Sequence, residues 1–235
     1  MVMPDYRLGV LGGMGPQASN TFYQLVIDRT AAATDQEHVN ALILSDSGMP
    51  DRTRAILSGD TEPVRRRLLA DAQLLQREGC TVIAVPCNTA HYFLDWVQGQ
   101  IDVPILHMIR ETAGVLAAKG CTRPGILATD GTIQTGLYQT EFAARGIEAV
   151  IPTAPAQRQL MTLIYDYVKA GRRGGDELFQ AVYQDLLAQG CDCGVLACTE
   201  LSVFATWYPL PAFFCDAMAI LAERAVQACH KPLRD

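Results

Sequence analysis

The chain has 235 residues, of which 49% are hydrophobic and 19% charged, and its formal net charge at pH 7 is −6. This apolar content excludes an intrinsically disordered chain, and the length allows one large domain or two small ones. A nucleic-acid-binding protein usually carries a basic stripe, whereas the dense basic run here is limited to the three arginines at 65–67, which we interpret as a solvated helix face, so we expect no nucleic-acid partner.

Short, continuously apolar runs recur along the chain, a pattern typical of strands that are buried on both faces of a parallel sheet. The predicted strands are residues 8–11, 41–44, 81–85, 125–128 and 194–197. The predicted helices are residues 16 to about 33, 63–77, 177–188 and 217–229. Strands that alternate with helices predict an α/β fold.

The chain contains an internal duplication. Residues 7–15 and 123–131 share an Arg, a Leu and two Gly at an offset of 116 (123 − 7). Residues 79–87 and 190–198 share a Gly-Cys pair and a terminal Cys at an offset of 111 (190 − 79). We therefore predict two similar halves: a first domain of residues 1–112 and 211–235, and a second domain of residues 113–210. The last helix is expected to return and pack on the first half.

Cysteine usage and hydropathy bear on the compartment. Eight cysteines without a recognisable secretory signal indicate reduced thiols, since Asp5 and Arg7 precede only a short glycine-rich apolar run. The longest apolar candidate, 213–229, is interrupted by charged residues and falls short of the ~18 apolar residues of a membrane span. We therefore predict a cytoplasmic protein with no membrane partner.

Each half carries a cysteine directly after a predicted strand, where ligands bind in open α/β sheets. Cys87 precedes Asn88 and Thr89, and Cys198 precedes Thr199. A helix that begins at such a point favours the thiolate and offers donors to a carboxylate. If the halves face each other, one thiolate can remove a proton from carbon while the other thiol protonates the opposite face, which inverts that carbon.

Three segments carry a resemblance to a known family. Residues 86–91 read Pro-Cys-Asn-Thr-Ala-His, residues 198–201 read Cys-Thr-Glu-Leu, and residues 11–16 read Leu-Gly-Gly-Met-Gly-Pro. The chain resembles the cofactor-independent aspartate/glutamate racemase family, especially its aspartate racemase branch, over nearly its whole length. The resemblance implies two pseudo-symmetric α/β domains with mainly parallel sheets, an active site in the cleft between them, and a homodimer.

The same resemblance implies the activity and the site. It implies a racemase acting on aspartate or glutamate, with Cys87 and Cys198 as the two acid/base residues and with no cofactor and no metal. The substrate-binding residues that it implies, together with those after each cysteine, are Met14, Arg52, Asn88, Thr89, Thr129, Thr132, Lys169 and Thr199. The guanidinium of Arg52 suits the distal carboxylate because its planar fork binds carboxylate bidentately. A plain structural role remains open for each, such as a core methionine, an ordinary turn or a helix-end lysine.

Two further residues are candidates for auxiliary roles, and one loop departs from the family pattern. His91 would share a helix face with Cys87 and could tune its thiolate, and Glu200 could orient groups near Cys198. Residues 45–48 read Ser-Asp-Ser-Gly where many aspartate racemases have an Asn-Phe-Pro-Gln-like segment, so the preference for aspartate stays open.

The sequence argues against several other functions and leaves three alternatives to racemisation open. A pyridoxal-dependent racemase needs a Schiff-base lysine and a phosphate cup, but the chain has three lysines and its glycine-rich opening matches neither a Walker loop nor a dinucleotide fingerprint. Four scattered histidines show no metal-ligand spacing. The open alternatives are a decarboxylase or lyase of the same fold, a non-catalytic dicarboxylate-binding protein, and a cysteine hydrolase that pairs Cys87 with His91.

Overall fold

The computed structural model describes residues 6–234. Residues 1–5 and Asp235, which the predicted first domain includes, lie outside the described residues. The first half contains β1 (Arg7–Gly12), α1 (Pro16–Arg29), β2 (Asn40–Ser45), α2 (Arg52–Ser58), α3 (Glu62–Arg77), β3 (Val82–Ala84), α4 (His91–Gln98), β4 (Ile105–Leu106) and α5 (Met108–Ala118).

The second half repeats the alternation of strands and helices. It contains β5 (Pro124–Leu127), α6 (Asp130–Thr135), α7 (Leu137–Ala143), α8 (Ala154–Thr162), a π-helical turn (Leu163–Val168), α9 (Asp176–Ala188), β6 (Cys193–Leu196), α10 (Thr199–Trp207), β7 (Phe214–Asp216) and α11 (Ala217–Ala228). The five predicted strands and the four predicted helices are confirmed. The first helix ends at Arg29 rather than near residue 33, because Thr30 turns into an extended conformation and forms a β-bridge with Leu233.

The strands within each sheet run parallel, and the two sheets share one strand order. The first sheet has the order β2-β1-β3-β4, and the second has the order β5-β6-β7. Gly125 of β5 also pairs in parallel with Val150, in the place that β2 takes beside β1. This common order confirms the α/β fold with parallel sheets.

The backbone hydrogen bonds repeat as the sequence duplication predicts. The N–H of Thr81 donates to the carbonyl of Arg7 at 2.8 Å, and the N–H of Asp192 donates to the carbonyl of Arg123 at 3.1 Å. These are the offsets of 116 (123 − 7) and 111 (192 − 81) read from the sequence. Strands β5 and β6 therefore pair in the same register as β1 and β3.

One buried core extends across both sheets and is covered by α11. Buried residues of this core come from β1 and β3 in the first sheet, from β5 and β6 in the second, and from α5 and α11. Helix α11 packs on α1 and α5, as expected for a segment that returns to the first half. Strand β7 precedes α11 and pairs with β6, although it lies in the segment 211–235 that was assigned to the first domain. The domain boundaries stay a prediction.

The glycine-rich loop after β1 depends on close backbone approach. Gly13 has a φ of +89°, and a Cβ there would lie 2.3 Å from the backbone of Asp46. A side chain at this position would therefore push apart the loops that follow β1 and β2. Among the described residues, the helices are too short or too polar to span a bilayer.

Candidate active site

The ends of β3 and β6 open into one narrow cavity. The cavity is lined by Met14, Asp51, Arg52, Thr53, Cys87, Asn88, Thr89, Thr129, Lys169, Cys198, Thr199 and Glu200. The structure therefore brings both candidate cysteines to one space, one from each half of the duplication. Two predicted site residues, Thr132 and His91, do not line it, and two lining residues, Asp51 and Thr53, were missed by the sequence analysis.

The two cysteines are equally buried but differ in their backbone setting. Each is 5% exposed. Cys198 directly precedes α10, as predicted, so it lies at the positive end of that helix. Cys87 instead lies in a turn, where its N–H donates to the carbonyl of Val85 at 2.8 Å, and α4 begins only at His91. The helix predicted after Cys87 therefore forms, but it begins four residues beyond the cysteine.

Cys198 is held as a thiol by a carboxylate. Its Sγ donates a hydrogen bond to Oε2 of Glu200 at 2.9 Å, and Glu200 is itself 5% exposed. Burial, followed by the negative charge of Glu200 and this hydrogen bond, raises the pKa of Cys198 well above its ordinary value, with Lys169 acting in the opposite direction. Cys198 therefore carries its proton at neutral pH and is ready to act as an acid.

Arg52 provides a positive charge beside Cys87. Its guanidinium donates to the carbonyl oxygens of Met14 and Pro50, each at 2.9 Å, and its Nε has no hydrogen-bond partner among the described residues. Burial lowers the pKa of Arg52, but the interactions with Cys87, Asp51 and Glu200 together leave the pKa raised. Because neutral carbonyls hold the guanidinium, its charge and its free donor remain available to a ligand.

Lys169 is the second cation of the cavity. It directly follows the π-helical turn, and its Nζ lies 4.0 Å from Oε1 of Glu200 and 4.1 Å from the centre of the Tyr165 ring. Burial lowers the pKa of Lys169, but the charge of Glu200 and the nearby thiols leave it raised. The ammonium and the Glu200 carboxylate therefore form a partly buried pair at the wall nearest to Cys198.

Asn88 offers an unpaired donor. The Tyr138 hydroxyl donates to Oδ1 of Asn88 at 2.6 Å, which orients the side-chain amide. The Asn88 Nδ2 is buried and has no partner among the described residues. A buried N–H without an acceptor is costly, so its position at the cavity wall indicates an acceptor supplied by a ligand.

A cluster of threonine hydroxyls joins the two halves at the floor of the site. The hydroxyl of Thr89 lies 3.2 Å from that of Thr129 and 2.9 Å from that of Thr132, and Thr53 donates to Thr129 at 3.3 Å. Thr132 therefore supports the residues that line the cavity instead of facing a ligand directly. Three of these four threonines line the cavity and can exchange a partner in the cluster for a carboxylate oxygen.

His91 has a structural role. Its Nε2 accepts from the N–H of Met108 at 3.0 Å, so its Nδ1 carries the proton and donates to the carbonyl of Cys87 at 2.9 Å. Burial, aided by His107, lowers the pKa of His91 to about 3. The ring is therefore neutral and holds the Cys87 backbone, and it is not the base that a cysteine hydrolase would need beside the thiol.

In the loop after β2, the Asp46 carboxylate bonds to other groups and does not line the cavity. The Asp46 carboxylate accepts from Nη2 of Arg67 at 2.7 Å and from the N–H of Gly48 at 3.0 Å. Arg67 is thus an ion-pair partner and not part of a purely solvated face. Ser47 instead lines a neighbouring pocket.

This neighbouring pocket, of about 650 Å³, adjoins the cavity. The two share Met14, Arg52, Lys169 and Glu200. Beyond these residues the pocket is lined mainly by apolar and small side chains, including Met49, Val168 and Val203. A ligand held at the two cysteines therefore has room to extend between the two cations.

Comparisons with known proteins place the chain in a family. The model of a family described as Asp/Glu/Hydantoin racemase matches residues 11–225. An aspartate racemase from Picrophilus torridus superposes with a TM-score of 0.84 and 28% sequence identity, covering 97% of this chain and 96% of that one.

Relatives by sequence carry related activities. The broad specificity amino-acid racemase RacX of Bacillus subtilis is 28% identical over 224 residues, which is 93% of this chain and 96% of the relative. A glutamate racemase from Corynebacterium diphtheriae is 34% identical over 144 residues, which is 58% of this chain and 51% of that protein.

Proposed function

The chain belongs to the Asp/Glu/Hydantoin racemase family, and we propose that it interconverts the L- and D-enantiomers of an acidic amino acid through Cys87 and Cys198. It is an isomerase, as its relatives are. The observation that carries the two-base mechanism is that one cysteine from each half lines the same cavity. Their surroundings differ in charge, with a guanidinium beside Cys87 and a carboxylate beside Cys198.

The proposed reaction moves one proton at each face of the α-carbon. The Cys87 thiolate takes the α-proton, and the Cys198 thiol gives its proton to the opposite face of the resulting carbanion. The product leaves Cys87 as a thiol and Cys198 as a thiolate, which is the form that runs the reverse reaction. Each direction therefore uses its own protonation state of the free enzyme.

Donors at the cavity wall stabilise the carbanion. Removal of the α-proton spreads negative charge onto the α-carboxylate, so donors that are in place beforehand lower the barrier. The Nδ2 of Asn88 and the hydroxyls of Thr89 and Thr129 serve this carboxylate in our proposal. We propose that no added cofactor takes part.

The charges of the site support an acidic amino acid. Arg52 and Lys169 are positive and Glu200 is negative, which complements two carboxylates and one ammonium group. The further lining acid, Asp51, directs its carboxylate at the N-terminus of α2, where it accepts from the N–H of Arg54 at 2.7 Å. We assign the distal carboxylate of the substrate to Arg52 and its ammonium group to Glu200.

A broad-specificity racemase is the second candidate. The adjoining pocket, with its apolar lining, favours this reading because it can receive side chains longer than that of aspartate. The Bacillus subtilis relative is named for broad specificity. A difference of one methylene contributes only about 1–3 kcal/mol in a pocket, so length alone discriminates weakly.

Deuterium exchange tests the proposal. The protein is incubated in D₂O with pure L- or D-aspartate, glutamate and a panel of neutral amino acids, without added cofactor, and the products are examined by NMR and chiral chromatography. We expect α-deuterium and the opposite enantiomer from an acidic amino acid. Release of CO₂ would instead establish the decarboxylase, and binding without exchange would establish the dicarboxylate-binding protein. Exchange with neutral amino acids at comparable rates would favour the second candidate.

A further inference from the structure

A second pair of close thiols lies at the other end of the second sheet. Cys193 is the first residue of β6, whereas Cys198 follows the end of that strand. Five residues of extended chain span about 16 Å, so this pair is distinct from the cavity described above. Cys121 comes just before β5, whose first residue, Pro124, is the partner of Cys193 in the sheet.

The two sulfur atoms face each other at close range. The Sγ atoms of Cys121 and Cys193 are 2.7 Å apart, although the residues are 72 positions apart in the chain. A disulfide bond has an S–S length of about 2.05 Å, so the sulfurs need to approach by only about 0.7 Å.

Asp192 holds the Cys121 thiol of this pair in place by a hydrogen bond. Its Oδ1 accepts from the Cys121 Sγ at 2.9 Å, while its Oδ2 accepts from the N–H groups of Thr122 at 2.6 Å and Arg123 at 2.9 Å. Although burial raises the pKa of Asp192, these hydrogen bonds lower it to about 2. The carboxylate is therefore ionised and fixed beside the Cys121 thiol.

The pair is reachable from solvent. Both cysteines are partly exposed, and they line a pocket of about 620 Å³ together with Lys119, Phe213 and Cys215. The pocket is open enough to admit a small molecule. The ammonium group of Lys119 suits one that carries carboxylates, such as oxidised glutathione.

We propose that Cys121 and Cys193 form a reversible disulfide by exchange with a small-molecule disulfide. Cys121 loses its proton to solvent, and its thiolate attacks one sulfur of the small disulfide, which releases one thiolate and forms a mixed disulfide. Cys193 then loses its proton and attacks the Cys121 Sγ, which releases the second thiolate. Two electrons pass from the protein sulfurs to the small disulfide, and the two released thiolates take up the two protons.

A disulfide fits this geometry better than a metal ion does. Cys121, Asp192 and Cys193 place three ligand atoms within 4.8 Å of one another. Two sulfurs bound to one zinc ion are about 3.8 Å apart, because each Zn–S bond is about 2.3 Å at a tetrahedral angle. The thiols would have to separate by about 1 Å to bind zinc, whereas they approach to form a bond.

Mass spectrometry tests the proposal. The full chain is incubated with oxidised glutathione for hours, because burial and the hydrogen bond to Asp192 raise the pKa of Cys121 to about 11 and keep the thiolate scarce. It is then alkylated in denaturant and digested. We expect most molecules to lose two hydrogens in mass and to yield a peptide that links Cys121 to Cys193. Dithiothreitol should reverse the change.

Variants at nearby cysteines provide the controls. Cys191→Ser should form the same link, because the described residues show no hydrogen bond between the Cys191 side chain and either thiol of the pair. Cys193→Ser should hold glutathione on Cys121, and Cys121→Ser should form no link. The proposal is overturned by glutathione adducts without an internal link in the unmodified chain, by a link that joins other cysteines, or by a bound metal ion that blocks oxidation in native mass spectrometry.

Thermal unfolding gives a second measurement. The bond would close a loop of 72 residues, which restricts the unfolded chain. We expect the Tm of the linked protein to exceed that of the reduced protein by about 5–10 °C. A Tm that falls on linking would show that the thiols are not placed for this bond and would overturn the proposal.

Discussion

Arg52 shows how a single residue is prepared for its ligand. Backbone carbonyls hold the guanidinium, its charge lies beside Cys87, and its Nε is unpaired. Lysine carries the charge but lacks the planar fork of donors. We expect Arg52→Lys to lower kcat/KM for the acidic substrate about 100-fold, mainly through KM, in steady-state kinetics.

The neighbouring arginine provides the control for this change. Arg54 is exposed, lies on the same helix and does not line the cavity. Arg54→Lys should leave both kinetic constants unchanged. An unchanged KM in Arg52→Lys would argue against a role in substrate binding.

Glu200 controls the proton on Cys198. Glu200→Gln removes the negative charge that, after burial, contributes most to the raised pKa of Cys198. In the direction in which Cys198 donates a proton, activity is lost as pH rises through that pKa. We therefore expect the alkaline limb of kcat/KM in that direction to move to lower pH in Glu200→Gln. An alkaline limb that stays in place would show that Glu200 does not act through Cys198.

Much of the site could be predicted at the level of single residues. Both cysteines and the residues that follow them were found because they sit at equivalent places in a duplication. Thr53 and Tyr138 were missed because their roles arise from contacts across 76 and 50 residues of chain. Such contacts leave no local signal in the sequence.

At the scale of elements, α3 places the carboxylate of Asp71 beside that of Asp46 in the loop after β2. Burial, followed by the charge of Asp46, raises the pKa of Asp71 to about 6, while Arg67 opposes the shift. A carboxyl whose pKa is raised on folding favours the folded state at low pH, and this contribution is lost as pH rises through about 6. At pH 8 the ionised Asp71 therefore costs stability.

We expect Asp71→Asn to stabilise the protein at pH 8. Asp71 is partly exposed, and solvent screening reduces the gain to about 1 kcal/mol, or a Tm increase of about 2–4 °C. The gain should vanish below about pH 4, where the carboxyl is neutral in both folded and unfolded chains. Calorimetry at several pH values measures this, and a gain that is the same at pH 4 and pH 8 would contradict the account.

A substitution at Gly13 tests whether the loop after β1 needs a residue without a side chain. Its positive φ and the 2.3 Å approach of a Cβ to Asp46 leave no room for a side chain. We expect Gly13→Ala to lower the free energy of unfolding by about 2–4 kcal/mol in urea titrations. Gly114 is the matched control, because it lies exposed in α5 with nothing within 4 Å. Gly114→Ala should stabilise by about 0.5–1 kcal/mol, and equal effects of both changes would refute the explanation.

The sequence analysis did not predict the two short edge strands, β4 and β7. Continuous apolar runs revealed the five long or central strands. The edge strands β4 and β7 have two and three residues, too few to show a hydrophobic period. They form because the backbone N–H and C=O groups of the neighbouring central strand, β3 for β4 and β6 for β7, are available for pairing.

At the scale of the whole molecule, the two halves form one site because neither half completes it. Each supplies one cysteine and part of the threonine cluster. The duplication predicted the equivalence of the halves but not how they face each other, which depends on a core shared by both sheets. The homodimer and the cytoplasmic location implied at the outset stay predictions.

The most direct test is the fate of the α-hydrogen in Cys87→Ala and Cys198→Ala. Each variant is incubated in D₂O with pure L- and then pure D-substrate, beside the unmodified chain, and NMR follows the α-position. The account predicts that the unmodified chain yields both enantiomers with α-deuterium and that each variant fails to interconvert them. Full interconversion by either variant would contradict a mechanism that needs a sulfur on each side of the stereocentre.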